Sequence, residues 1–250
     1  MAESKPAYTP MDSKIKLGPN PKIATTEQIR WFQSAIGSLL YLALATRVDI
    51  AYAVIKLSRF TSNPSTQHTT AIKRVFRYLR ATISYGITYS IQNNHYISGF
   101  CDSDYAGDIT TAKSTSGYIF LLAGGPISWK SKLQSIVAQS TTEAEYIAIN
   151  AASKEAVYIA EILKELGYYK QEKFPLYTDN NGALLLAHNP VFHERSKHIA
   201  VKYHYIRELI YKGIIDLIYI PTNEQKSDGL TKPLEKVKFK QFLKYLNFIE

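Results

Sequence analysis

Three carboxylates fall close together in the stretch GFCDSDYAGD, directly after the short β-rich run HYISGF. They belong to Asp102, Asp104 and Asp108. Aspartates at the end of a strand usually form turns, because the side chain bonds to its own backbone and tolerates tight dihedral angles. We expect Asp104 and Asp108 to shape such a turn. Asp102 would instead suit a metal site if acids from distant parts of the chain met it in space.

Further acids occupy positions at which such a meeting is expected. Asp102 ends a predicted strand, and Glu145 lies in the first turn of the longest predicted helix. Asp179 ends another strand, and Asp228 follows the last one. Sites are built where strands end and helices begin at one edge of an α/β sheet. Four carboxylates meeting there would repel one another unless cations neutralised them.

The chemistry of such a cluster follows from its ligand type. Two divalent metal ions would neutralise the carboxylates, and a metal pair supports displacement at a phosphoryl group by water. Ligands that are all oxygen atoms favour Mg²⁺ or Mn²⁺ over zinc. The sequence therefore predicts a centre that hydrolyses phosphodiesters with the help of metal ions, provided that the fold brings the acids together.

The elements that must position these acids change in type at about residue 86. Before it, three stretches with apolar residues at helical spacing predict helices, the first capped by Thr25 or Thr26 and the second ended by Asn63-Pro64. After it, short β-branched and aromatic runs predict antiparallel strands, of which GITYSIQ and HYISGFCD suit a hairpin or a strand-turn-strand unit. A long helix, a strand, helices, a strand and a last helix over about 231–248 follow. This order predicts an α/β fold, a mixed sheet with helices on its faces.

The long helix carries its own boundary signals. Thr142 followed by Glu145 fits a capping box, and Gly167 suits the end of the helix. We therefore expect this helix to begin near residue 142.

Composition limits the class of protein. The chain has 250 residues and a single cysteine, Cys101, which excludes an internal disulfide and fits a reducing compartment. The longest apolar run, AIGSLLYLALA over 35–45, falls short of the roughly 20 residues that span a bilayer. No signal peptide is recognisable at the start. We therefore expect an intracellular protein, cytoplasmic or nuclear, that is not secreted and has no membrane partner.

The positive charge is concentrated in the first part of the chain. Residues 1–92 hold 12 Lys and Arg against 4 Asp and Glu, a difference of +8, whereas residues 93–250 hold 18 against 17, a difference of +1. The third predicted helix has an apolar face, and its basic residues occupy the other face: Lys73, Arg74, Arg77 and Arg80. Such a face suits a nucleic-acid backbone. A solvated basic surface is the open alternative.

A series of motifs, taken in order, resembles a known family. The motifs are CDSDYAGD, STSGYIFLLAG, ISWKSKLQ, STTEAEYIA, TDNNGA, NPVFHERSKHIAVKYHYIRE and DGLTKPL. The segment from about 95 to 235 resembles the ribonuclease H domain of copia-type retrotransposon polyproteins. The stretches RWFQSAIGSLLYLALATRVDIAYAV and LSRFTSNPS resemble the portion that joins reverse transcriptase to ribonuclease H in that family. The resemblance covers nearly the whole chain and points to the C-terminal part of such a Pol polyprotein.

The resemblance implies a fold and a division into domains. The fold would be a ribonuclease H-like mixed sheet, with antiparallel and then parallel strands flanked by helices, preceded by a small helical basic region. Residues 1–28 would form an extended arm and 29–92 a basic region like a thumb or connection. Residues 93–235 would form the ribonuclease H-like domain, and 236–250 a C-terminal helix.

The resemblance also implies the site residues and the activity. The Asp-Glu-Asp-Asp set of the family matches Asp102, Glu145, Asp179 and Asp228, which would be catalytic and would hold two Mg²⁺ ions, with Mn²⁺ as a substitute. Glu143 competes with Glu145, although an acid in the first turn also suits the helix dipole. The implied reaction is hydrolysis of the RNA strand of RNA–DNA hybrids, recognised through the 2′-hydroxyl. The hybrid and other parts of the Pol polyprotein are the implied partners.

The chain also departs from the family in two respects. The loop YIPTNEQKS before Asp228 has no histidine, although many cellular ribonucleases H carry a mobile one there. His193, His198 and His204 lie upstream, at a spacing that disfavours a zinc site. The Tyr-x-Asp-Asp motif of polymerases does not occur in the sequence, so no polymerase activity is implied. A non-catalytic nucleic-acid-binding remnant or domesticated fragment with the same fold is the alternative function.

Overall fold

The computed structural model describes residues 4–90, 96–168, 173–188 and 200–249. The helices in these ranges are α1 (Thr26–Ala45), α2 (Ala51–Ser58), α3 (Thr66–Ala81), α4 (Thr141–Glu165), α5 (Asn181–His188), α6 (Ala200–Tyr211) and α7 (Lys236–Tyr245). The strands are β1 (Gly86–Ile87), β2 (Ser98–Asp104), β3 (Thr115–Leu122), β4 (Gly125–Leu133), β5 (Phe174–Thr178), β6 (Ile215–Tyr219) and β7 (Phe248–Ile249).

The main sheet has five strands in the order β4-β3-β2-β5-β6. β3 pairs antiparallel with both β2 and β4, whereas β5 pairs parallel with both β2 and β6. The predicted fold class is therefore confirmed: this is an α/β, ribonuclease H-like mixed sheet, antiparallel and then parallel, with helices before and around it. Because β2 and β5 run in the same direction, their carboxyl ends meet at one edge of the sheet.

Helices cover both faces of this sheet. Successive side chains of a strand point to opposite faces, so Cys101 and Phe100 of β2 enter two different hydrophobic clusters. The cluster around Cys101 contains residues of α4, α5 and α6, among them Tyr146. The cluster around Phe100 contains residues of α1, α2, α3 and α7. The candidate site thus lies on a strand that is packed on both sides.

The first third of the chain is helical, as predicted, and it shares its core with the sheet. α1 begins at Thr26 because Thr25 caps it, with reciprocal bonds between Thr25 and Gln28. Residues 4–24 contain no helix or strand, yet Ala7 and Met11 are buried in the cluster that also includes α7. The division into domains after residues 28, 92 and 235 stays a prediction. One hydrophobic cluster includes residues on both sides of each of these boundaries.

The start of α4 differs from the prediction. Its N-cap is Ser140, whose hydroxyl accepts a hydrogen bond from the Glu143 amide at 3.1 Å. The predicted capping box of Thr142 with Glu145 is wrong, because Thr142 already lies inside the helix and Ser140 has the extended backbone of a cap. Gly167 follows the end of the helix with a positive φ, as predicted.

Two other elements also differ from their predictions. β1 is two residues long and pairs with β7 at the C-terminus rather than with β2. α7 begins at Lys236 instead of about 231, because Pro233 disfavours helical backbone angles at Lys232, the residue before it. A 3-10 turn over Asp228–Leu230 precedes this stretch. In the part of the chain that the structure describes, no helix combines the length and apolar character needed to cross a bilayer.

Candidate active site

Three of the four predicted acids meet at the edge formed by β2 and β5. Asp102 lies within β2, Glu145 in the first half of α4, and Asp179 directly after β5. One carboxylate oxygen of each lies within 4.8 Å of those of the other two. Asp102 and Glu145 are only 4% and 6% exposed. We call these residues the acidic trio.

Neighbouring groups fix the orientation of the trio. The Ser103 amide donates to Glu145 Oε1 at 3.2 Å, and Thr231 Oγ1 donates to Asp102 Oδ2. The other oxygen of Glu145, Oε2, is buried and has no hydrogen-bond partner. After Asp179, the side chain of Asn180 caps α5 by accepting from the Ala183 amide at 2.8 Å. One buried acceptor in the trio is thus left for a ligand.

The fourth predicted acid, Asp228, lies beside the trio rather than in it. It opens the 3-10 turn, and its Oδ1 forms a 2.7 Å ion pair with Lys232. A glycine lets this turn approach the sheet: a Cβ on Gly117, which is paired with Asp102, would lie 2.8 Å from side-chain atoms of Leu230 and of Thr231. The turn therefore brings Thr231 to Asp102, and Asp228 with it.

The electrostatics of the site reflect an excess of negative charge. Burial raises the pKa of Asp102 to about 7, and the charge of Asp228 contributes to the rise. Burial also raises the pKa of Glu145 well above its ordinary value, with Asp102 as the next cause. Burial alone would lower the pKa of Lys232, but Asp102 and Asp228 raise it overall. Lys232 is therefore the cation that already balances part of this charge.

The residues present fit a hard divalent cation. The trio offers oxygen atoms only, which Mg²⁺ and Mn²⁺ prefer. The buried Glu145 Oε2 without a partner is a ready ligand atom. A cation would offset both the burial and the carboxylate repulsion that raise the pKa values of Asp102 and Glu145. No histidine joins the trio among the residues that the structure describes.

The competing glutamate has a different environment. Glu143 is buried, and its Oε2 accepts a hydrogen bond from the Gln139 amide at 2.7 Å. It lies outside the group formed by Asp102, Glu145 and Asp179. The structure thus brings Glu145, rather than Glu143, to the other acids.

Asp104, at the end of β2, and Asp108, in the loop after it, bond to neighbouring segments. Asp104 accepts a hydrogen bond from the Thr115 amide of β3. Asp108 accepts from Lys56 Nζ at 2.8 Å and from Arg59 at 3.2 Å, and both of these residues come from α2 or its end. These bonds tie the N-terminal helices to the loop that follows the site strand.

The four predicted nucleic-acid-binding residues of α3 have mixed surroundings. Arg74 donates to the Thr9 carbonyl and pairs with Asp12 at 3.3 Å. Arg77 and Arg80 donate to the carbonyl groups of Lys5 and Ser4. Lys73 is exposed. Three of the four cations are thus bonded to the N-terminal segment of the chain itself, and their role in nucleic-acid binding stays a prediction.

Sequence reasoning missed several residues around the trio. Thr231 and Lys232 lie in the motif DGLTKPL, but no local pattern indicates that they reach Asp102 and Asp228. Gly117 could have been noticed as a glycine inside a strand, which often marks a close approach of another segment. Of the three histidines, His193 and His198 lie outside the described residues, and His204 is exposed on α6.

Solved structures of ribonucleases H are similar to part of the chain. One is the N-terminal RNase H domain of Rv2228c from Mycobacterium tuberculosis, 10% identical, covering 55% of this chain and 91% of that one, with a TM-score of 0.41. Another is RNase H1 from Halobacterium salinarum, 16% identical, covering 54% and 94%, with a TM-score of 0.39.

No family model matches the chain, but curated proteins do. Secreted RxLR effector protein 161 of Plasmopara viticola is 46% identical over 128 residues, which are 51% of this chain and 90% of the effector. The retrovirus-related Pol polyprotein from transposon TNT 1-94 of Nicotiana tabacum is 41% identical over 244 residues, which are 96% of this chain. That from transposon RE2 of Arabidopsis thaliana is 40% identical over 252 residues, the whole of this chain. The chain spans only 18% and 17% of these two polyproteins. It belongs to the family of copia-type retrotransposon Pol polyproteins.

Proposed function

We propose that the chain is a metal-dependent endonuclease of the ribonuclease H type, which hydrolyses the RNA strand of RNA–DNA hybrids. The observation that carries the proposal is the acidic trio at the edge of a mixed sheet, with Asp228 beside it. Asp102 and Glu145 of the trio are buried, and Asp179 is half-buried. Membership of a retrotransposon Pol family supports it, because the ribonuclease H domain that this chain resembles is part of such polyproteins.

The trio and Asp228 would hold the metal ions. Once bound, two Mg²⁺ or Mn²⁺ ions supply a nucleophilic water and neutralise the charge that develops at the phosphate. The residues of the chain prepare the site for this role. Thr231 orients Asp102, the Ser103 amide orients Glu145, and Lys232 limits the repulsion around Asp228. These contacts hold the oxygens in place before any substrate arrives, which lowers the reorganisation needed during the reaction.

The substrate and the setting are parts of the same proposal. A 2′-hydroxyl donates and accepts hydrogen bonds, so it distinguishes the RNA strand from DNA. Other segments of the Pol polyprotein are proposed partners, and the proposed location is intracellular. The alternative, a binding protein that keeps the fold without catalysis, gains nothing from a buried cluster of mutually repelling carboxylates.

The test uses the purified chain with an RNA–DNA hybrid, a duplex DNA and a duplex RNA of the same sequence. We expect cleavage of the RNA strand of the hybrid in Mg²⁺ or Mn²⁺, with no cleavage of the duplex DNA and none in EDTA. Equal cleavage of hybrid and duplex DNA would contradict the proposed substrate. Hybrid binding without cleavage in either metal would favour the non-catalytic alternative.

A further inference from the structure

α7 carries an unusual concentration of positive charge. Its sequence, KVKFKQFLKY, has no acidic residue, and its four lysines are all exposed: Lys236, Lys238, Lys240 and Lys244. The opposite side of the helix is buried through Phe239, Phe242 and Leu243. No ion pair engages Lys238, Lys240 or Lys244 within the described ranges. The helix thus presents cations that nothing in the described chain neutralises.

The positions of these lysines lower the stability of α7 when no anion is bound. Lys240 and Lys244 are like charges at a spacing of four residues, as are Lys236 and Lys240, and such pairs destabilise a helix. Lys236 and Lys238 also lie in the first turn, where the helix dipole favours negative charge. A bound polyanion would relieve both effects.

The helix lies next to the candidate site. The turn that begins with Asp228 packs on α7, since a Cβ on Gly229 would lie 2.7 Å from the Phe242 ring. Lys232, which pairs with Asp228, comes four residues before Lys236, the first residue of α7. A nucleic-acid strand bound at the trio could therefore continue along the exposed face of α7.

The basic face of α3 is less available than that of α7. Arg74, Arg77 and Arg80 donate to main-chain oxygens between residues 4 and 9. α3 packs directly beside α7, with the rings of Tyr78 and Phe239 5.6 Å apart. Three of the four cations of α3 are thus bonded to the protein itself, whereas Lys238, Lys240 and Lys244 of α7 have no ion pair in the described ranges.

We propose that the exposed lysines of α7 bind the phosphodiester backbone of the nucleic acid that reaches the acidic trio. This inference rests on the proposed function and names the surface that holds its substrate. Lysines four residues apart on a helix are about 6 Å apart along its axis, so Lys236, Lys240 and Lys244 form a row of cations facing one side. An anionic membrane is a poorer fit, because the apolar face that would enter the lipid is already buried in the core.

The test measures binding of the full chain to the RNA–DNA hybrid in EDTA at several salt concentrations. The variant is K238Q/K240Q/K244Q, which removes three charges and leaves Lys236, whose Nζ lies 4.0 Å from the Tyr8 ring. Gln has a helix propensity close to that of Lys. We expect weaker binding at low salt and a shallower salt dependence, whose slope falls by up to about 0.9 for each phosphate that the variant no longer neutralises.

The matched control is K130Q/K132Q/K154Q, which removes the same charge from exposed positions on β4 and α4. Its slope should stay close to that of the wild type. An unchanged slope in the α7 variant, or an equal fall in both variants, would overturn the proposal. The proposal would also be overturned if the α7 variant kept the wild-type salt dependence of hybrid binding but no longer bound vesicles containing phosphatidylserine.

Two further readouts separate this inference from the proposed function. The melting temperature of the α7 variant at low salt should equal or exceed that of the wild type, because repulsion between the lysines is removed. Such a result would show that the weaker binding does not come from unfolding. Cleavage in Mg²⁺ at saturating hybrid should persist in the variant. If the wild type binds the hybrid with the expected slope but never cleaves it, the proposed function fails while the binding surface stands.

Discussion

At the scale of single residues, two glutamates two positions apart on α4 have opposite surroundings. Glu145 faces Asp102 and Asp179 and keeps one buried oxygen without a partner, whereas Glu143 bonds to the backbone that precedes the helix. The sequence motif alone left both open, because residues two apart on a helix face different directions and the rotation of α4 depends on its packing. The structure resolves that rotation.

The first prediction compares these two residues. Glu145→Gln should lower the rate of hybrid cleavage by on the order of 10²-fold or more, the scale of losing one preorganised electrostatic group. Its free energy of unfolding in EDTA should not fall, since a buried and repelled carboxylate is removed. Glu143→Gln should keep most of the activity. Single-turnover cleavage and urea unfolding measure both, and the reverse ranking of the two rates would assign the site to Glu143.

At the scale of elements, the site depends on how closely the Asp228–Leu230 turn approaches β3. Gly117 makes this approach possible, because any larger residue would meet Leu230 and Thr231. The strands and the long helix could be predicted from their hydrophobic periods. This contact joins segments more than 100 residues apart, and its local sign is a glycine inside a strand, which does not say which segment approaches. The order of the elements therefore predicted that Asp228 follows the last strand of the sheet, but not that Thr231 reaches Asp102.

The second prediction tests this contact. Gly117→Ala should displace the turn, lower cleavage strongly and reduce the free energy of unfolding. Gly37→Ala is the control: it lies inside α1 with open space around its Cβ position, and it should stabilise the chain by about 0.5–1 kcal/mol. Wild-type activity and stability in Gly117→Ala would show that the turn does not need this close approach.

The third prediction concerns the link between α2 and the loop after β2. Burial alone would raise the pKa of Asp108, but its bonds with Lys56 and Thr111 lower it to about 2. A depressed pKa means that the ionised carboxylate stabilises the fold above its unfolded value of about 3.9, and that this stability is lost as the pH falls toward 2. Asp108→Asn should therefore cost on the order of 3 kcal/mol at pH 7, because Lys56 is left buried without its partner.

The pH dependence supplies the control for that variant. The difference in unfolding free energy between wild type and Asp108→Asn should be constant from pH 7 to about 5 and should shrink from about pH 4 downward. Asp216→Asn, an exposed position on β6, should change little at any pH. A difference for Asp108→Asn that grows as the pH falls would contradict the assigned ion pair.

At the scale of the whole molecule, the positive charge is concentrated in residues 1–92, and these residues share a hydrophobic core with the rest of the chain. Buried residues from the N-terminal segment, α1 to α3, the sheet and α7 form one cluster. The Trp129 indole on β4 also donates to the Ala43 carbonyl of α1 at 2.7 Å. Composition could predict which residues are basic, but whether a cation faces solvent or a backbone carbonyl depends on tertiary contacts such as those of Arg74 and Arg77.

The most direct measurement of the central claim is single-turnover cleavage of the hybrid in Mg²⁺ by Asp102→Asn and Asp179→Asn. Each change removes one negative charge from the acidic trio at nearly constant shape, and Thr231 can still bond to the residue at position 102. We predict that both variants bind the hybrid as the wild type does and lose cleavage by at least about 10²-fold. Cleavage at the wild-type rate by either variant would contradict the claim that the trio is the catalytic metal centre.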